Sequence, residues 1–159
     1  MVNSIRKLEE CVDKAKPYQS KGDVVTYYLK LEQGLKSFKY DADCVRQKLN
    51  VAHRIGDSFF NIASGGGGQL KEQWVLIETK GKGNDFFEQL EKSLSLFEDA
   101  DCPVFGRYIG KNVPGILKSK ERKDFDNLQA KFLKKKGNLY IKNKDTTEIW
   151  YEVGKSEFK

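Results

Sequence analysis

Three residues of this chain could do hydrolytic chemistry together: Asp57, Glu78 and Lys80. Glu78 and Lys80 close the run Trp74-Val75-Leu76-Ile77-Glu78-Thr79-Lys80-Gly81. Its aromatic and β-branched members predict a strand buried on both faces. At a strand's period of two, Glu78 and Lys80 project from the same side. Asp57 lies in a second strand-like run, Ile55 to Ile62, and Gly65 to Gly68 supply a flexible return between the two. A hairpin that pairs Asp57 beside Glu78 brings two carboxylates and one lysine to a single ion-sized pocket. Those are the parts of a metal-assisted phosphodiester hydrolase. The same side chains also make an ordinary cross-strand ion-pair cluster, and the sequence leaves both readings open.

Other chemistries find fewer parts. The single histidine, His53, rules out a two-histidine metal site within one chain and reads as a strand-edge side chain. Cys11, Cys44 and Cys102 are odd in number and widely spread, outside any CxxC or Cys/His spacing. A zinc site and a disulfide framework are therefore not expected, and a reducing cytoplasm is the default compartment. The glycine run lacks the GxxxxGK[ST] arrangement of a phosphate-binding loop and reads as a mobile hairpin tip.

The elements that must position the trio follow from periodicity. Ser4 to Lys16 reads as a helix, with Ile5, Leu8, Cys11, Val12 and Ala15 at helical spacing and Pro17 beyond its end. A second helix is expected from an Asp23 cap to about Phe38, with Val24, Tyr27, Tyr28, Leu31, Leu35 and Phe38 as its stripe. Asp41 to Leu49 is ambiguous between helix and connection, and strand character begins at Val51. After Gly81-Lys82-Gly83, Asn84 or Asp85 caps a helix from about Phe86 to Glu98, which carries Gln89. Cys102 to Ile109 reads as a third strand, and Gly110 to Gly115 as a loop. A helix from about Ser119 to Lys136 has Phe125, Leu128, Phe132 and Leu133 inward and Gly137 at its end. Leu139 to Lys142 is a fourth strand, and Glu148 to Val153, after the Asp145-Thr146-Thr147 turn, an edge strand. The order predicts an α/β fold, a short mixed central sheet with helices on both sides.

The 159 residues are expected to form one domain: an N-terminal helical part over 1–50, a core over 51–142, and an edge strand or tail over 143–159. With 38% hydrophobic and 33% charged residues the chain should be globular with a heavily solvated surface. No apolar run approaches the length of a membrane span, and the first ten residues lack a signal-peptide core. Net charge is +6, and it is concentrated: Arg107 to Lys144 holds twelve Lys/Arg against three acids. That segment suggests a polyanion-facing surface, although a solvated lysine-rich helix face has the same composition.

Asp57, then Glu78-Thr79-Lys80 twenty-one positions later, then a helix carrying Gln89-Leu90-Glu91, resembles the core of the PD-(D/E)XK nuclease superfamily. The resemblance covers about Val51 to Lys142 and implies a restriction-endonuclease-like fold and Mg²⁺- or Mn²⁺-dependent cleavage of nucleic acid, with DNA ahead of RNA. It implies that Asp57 and Glu78 ligate the metal, that Lys80 orients or activates water, and that Gln89 supports the site. Gly56-Asp57 departs from the proline-aspartate pair of the motif. Arg107 and Lys111 are placed to grip a phosphate near the scissile bond, and Lys118, Lys120, Arg122 and Lys123 to track the backbone. Nucleases of this type often act as homodimers, but no interface can be assigned from sequence. Two other classes fit the same residues: a catalytically inactive protein of this fold that binds nucleic acid or a protein partner, and a small inhibitor or adaptor whose basic helix docks on an acidic surface.

Overall fold

A computed structural model describes residues 1–21, 26–64, 71–80, 87–110, 119–143 and 148–153. Five strands form the main sheet in the order β3-β4-β5-β6-β7: β3 Leu35–Asp41, β4 Ser58–Ser64, β5 Lys71–Lys80, β6 Val104–Gly110 and β7 Leu139–Asn143. The first three make an antiparallel meander, and β6 and β7 then add in parallel. Each parallel step needs a crossover. Helix α3, Glu88–Ser95, supplies the first and α4, Ser119–Lys134, the second. A smaller sheet holds β1, Gln19–Lys21, antiparallel to β2, Thr26–Leu31, with β8, Glu148–Val153, parallel on the far side of β2.

Strand β5 is central because its sequence is apolar on both faces. Trp74, Val75, Leu76 and Ile77 are all fully buried. Trp74 and Leu76 join a core with Val2 and Ile5 of α1 (Val2–Arg6), Val45 of α2 (Ala42–Lys48), Leu90 and Leu94 of α3, and Leu128 and Phe132 of α4. Val75 and Ile77 face the other way, onto Phe60, Ile62, Ile109 and the β2 residues Tyr27 and Leu29. The buried residues of the described helices thus fall on one face, where helices on both were expected. The small sheet covers the other. Among the described residues no helix is long and apolar enough to cross a membrane.

The N-terminal 1–50 part is not helical as a whole. The helix expected over Ser4 to Lys16 is reduced to α1 and a 3-10 turn at Glu9–Cys11, after which Val12 bridges to Tyr40 of β3. Of the helix expected from Asp23 to Phe38, the Asp23 cap lies outside the described residues, and the described part is two strands, β2 and β3, that belong to different sheets. Gly34 between them has φ 94°, a left-handed conformation that interrupts any helix. Asp41 to Leu49 resolves as α2, whose Asp41 cap accepts from the Cys44 N–H at 3.0 Å. Strand character begins at Ser58 rather than Val51. Leu133, expected inside, is 58% exposed, while Leu128 and Phe132 are buried as their spacing predicts.

Cys11 and Cys44 form a disulfide, against the expectation of none. It ties the 3-10 turn to α2. Cys102 is free and half-buried, and burial pushes its thiol above the usual range, so it carries little thiolate at neutral pH.

Candidate functional site

The β4–β5 register sets the site. Ser58 pairs with Ile77 at the last step of the ladder, and Asp57, one residue before β4, lies at the same end of the hairpin as Glu78. Asp57 stands just outside β4, and its N–H donates to the Ile77 carbonyl at 2.8 Å. Its half-buried carboxylate lies at the end of the ladder: Oδ2 accepts from the Thr79 N–H at 2.7 Å and from the Thr79 hydroxyl at 2.5 Å.

Glu78 continues the row of Trp74 and Leu76 and so faces α3, with only 4% of its surface exposed. A carboxylate at that depth requires hydrogen-bond donors. Gln89, on the first turn of α3, is one: oriented by its neighbours, its amide nitrogen donates to Glu78 Oε2 at 3.1 Å and to the Ile55 carbonyl at 3.2 Å. Asp57 is therefore held by the Thr79 N–H and hydroxyl, while Glu78 is held on the helix face. Lys80 is the last residue of β5, and its side chain lies outside the described residues, as do Lys111 and Lys118 entirely.

Sequence reasoning missed the residue that joins these parts. Ser93, fully buried on α3, accepts from the Gly56 N–H at 2.7 Å and donates to the Gln89 carbonyl at 2.9 Å. One hydroxyl thus couples the backbone beside Asp57 to the helix that holds Glu78. This explains the departure at Gly56: a proline there has no N–H to give Ser93. A side chain has no room either, since a Cβ at Gly56 would lie 2.7 Å from the Ile77 carbonyl oxygen and 3.4 Å from Glu78 Oε2. Gly56→Ala is expected to lower stability by about 1–3 kcal/mol, as overpacking against fixed backbone does. Denaturant titration of the variant checks this, and an unchanged midpoint would show that the contact is not tight.

The basic residues separate into kinds. Arg107, expected to grip phosphate, is only 3% exposed. Its guanidinium packs over Phe105 and Tyr140, at 5.5 and 4.9 Å from the ring centroids, and donates to Asn138 Oδ1 at 2.9 Å. It is a buried stacking residue, not a surface contact. Arg122 and Lys123 are exposed on α4, with Arg122 also paired to Asp126 at 3.5 Å, and Lys120 lies on the same helix. His53, expected at a strand edge, instead sits in the connection before β4. It lines a groove of about 460 Å³ between α3 and α4 with Lys92, Lys131, Lys134 and Lys135. Lys131 there pairs with Glu91 at 2.9 Å.

Among the described residues no group of three or more His, Cys, Asp and Glu side chains gathers as a metal cage. Two carboxylates lie at the same end of the hairpin, Asp57 bonded to Thr79 and Glu78 to Gln89. Comparison with protein-family models, with curated proteins and with solved structures returned no match for this chain.

Proposed function

We propose that this chain is a divalent-cation-dependent nuclease of the PD-(D/E)XK type, hydrolysing phosphodiester bonds in nucleic acid, DNA before RNA. The observation that supports the reading is that Asp57 and Glu78 lie at the same end of the β4–β5 hairpin, with Gln89 of the following helix on the Glu78 carboxylate. The antiparallel meander followed by a parallel strand and its crossover helix agrees with a restriction-endonuclease-like arrangement.

The donor chemistry fits Mg²⁺ or Mn²⁺. Hard cations take oxygen ligands, and Mg²⁺ is commonly held by one or two carboxylates while keeping water and substrate phosphate in its other positions. Asp57 and Glu78 would hold it. When bound, the cation would polarise the phosphoryl group and lower the pKa of a bound water. Gln89 keeps the Glu78 carboxylate oriented, and Ser93 keeps the Asp57 backbone fixed relative to the helix. Lys80, two positions after Glu78 at the end of β5, would supply positive charge for the transition-state phosphate. The exposed cations of α4 contribute backbone affinity that falls with salt.

The test is incubation of the intact chain with plasmid, single-stranded DNA and RNA in Mg²⁺, Mn²⁺ or EDTA. Cleavage that depends on the cation is the expected result. Salt-sensitive binding with no cleavage in either metal would favour an inactive nucleic-acid-binding protein of the same fold, a reading that draws on the charge concentrated after Arg107.

A further inference from the structure

The Asp57 carboxylate is held in a way that the nuclease reading does not by itself demand. In an antiparallel ladder a residue turns both of its peptide groups to the same neighbour, and alternate residues share that neighbour. Ile77 presents its carbonyl to the β4 side, where the Asp57 N–H takes it at 2.8 Å. Thr79, two residues on, presents its N–H to the same side. There it meets Asp57 Oδ2 at 2.7 Å, a side-chain oxygen in the place where a backbone carbonyl would continue the ladder. The Thr79 hydroxyl reaches the same oxygen at 2.5 Å.

Hydrogen bonds to an ionised carboxylate are about twice as strong as neutral ones. An aspartate side chain otherwise has several χ1 wells and a broad χ2. Two donors fixed on one residue and converging on one oxygen select a single orientation. By strand alternation the Thr79 side chain leaves the opposite face from Glu78. The spacer between the glutamate and the lysine therefore acts on the aspartate, and one stretch of β5 orients both carboxylates.

We infer that Thr79 is a positioning residue that fixes the direction from which Asp57 meets a divalent cation. The inference rests on the nuclease reading in one respect only, that Asp57 ligates the metal. Outer partners of metal ligands typically contribute 10- to 100-fold in affinity. The backbone N–H survives replacement by valine or serine, so the hydroxyl should account for the lower part of that range, about tenfold.

The experiment is calorimetric titration of Mn²⁺ into the intact chain and into Thr79→Val, Thr79→Ser and Asp57→Asn, with a melting curve for each. Thr79→Val keeps the shape and removes the hydroxyl, and is expected to weaken Mn²⁺ about tenfold. Thr79→Ser restores the donor and should bind as the parent does. In cleavage, Thr79→Val should raise the metal concentration for half-maximal rate more than it lowers the rate at saturating metal. A Thr79→Val chain that melts early yet binds Mn²⁺ like the parent, while Asp57→Asn does not bind, would make Thr79 a strand cap only and overturn the inference alone. A parent chain that takes up no Mn²⁺ overturns the metal centre and this inference with it. Should Thr79→Val fail to fold, Thr79→Ala, which also removes the hydroxyl, decides: about tenfold weaker Mn²⁺ binding in a folded chain supports the inference, and binding like the parent's overturns it.

Discussion

Asp57→Asn and Glu78→Gln should each lower cation-dependent cleavage by at least about a hundredfold, the scale on which removing one electrostatic contact to a reacting group acts. Both substitutions keep the shape of the side chain. Asparagine can still accept from Thr79, and glutamine can still accept from Gln89, so the two hydrogen-bonded arrangements around them survive. What is removed is the negative charge, and with it the attraction for a divalent cation. The stability change should stay within about 1–3 kcal/mol, since the bonds that remain lose only their charge assistance. Plasmid relaxation in Mg²⁺, read beside a denaturation curve, separates the two effects. Variants that fold normally and cut as fast as the parent would remove both residues from the chemistry. Variants that fail to fold would instead assign the carboxylates to the structure of the hairpin end.

Breaking the Cys11–Cys44 disulfide should destabilise the chain by about 3–4 kcal/mol, a large part of a typical folding free energy. The bond joins positions 33 residues apart, so reduction restores to the unfolded chain the freedom of a long loop. The loop it closes contains β1, β2 and β3. Both cysteines pack with the helix-face core, beside Val12, Tyr40 and Val45. The effect should also reach the site, because the Ala42 N–H at the start of α2 donates to the Asp57 carbonyl at 3.2 Å. Urea unfolding with and without reductant measures the stability change. A thiol count on the unfolded, unreduced chain gives the independent check: one free thiol is expected, and three would mean that the pair is not joined.

The centre of the fold was legible because its signals are local. The apolar run at Trp74 to Ile77, aromatic and β-branched, reads as a doubly buried strand, and all four residues are fully buried. Leu128 and Phe132, with Gly137 past the helix end, mark α4 within a residue or two of its bounds. The hairpin register was not legible in this way: the sequence posed the pairing of Asp57 beside Glu78 only as a condition, and the ladder ends at Ser58 and Ile77. The N-terminal third was not legible, for an identifiable reason. Tyr27, Tyr28, Leu31, Leu35 and Phe38 satisfy a helical spacing, while Tyr27 and Leu29 equally satisfy an alternating one. The deciding residue, Gly34, is a turn signal of one position. The disulfide was hidden because two cysteines far apart in sequence meet only through tertiary packing. Arg107 misled for a related reason: in a segment dense with cations, sequence cannot distinguish one stacked between aromatic rings from those in water. At the site, residue type announced Asp57, Glu78 and Gln89, but Ser93 and Thr79 are common residues whose importance lies in where their hydroxyls point.

The pairing of β8 with β2 sets an order of assembly. The meander of β3, β4 and β5 joins neighbours in sequence, whereas Thr26 must find Glu148 across more than a hundred intervening residues. Bringing distant segments together is slow, because chain entropy must be surrendered before the contact repays it. The outer stave of the small sheet that roofs Phe60, Ile62, Val75 and Ile77 thus comes from far along the chain, and that roof reaches its full width only once Glu148–Val153 has been made.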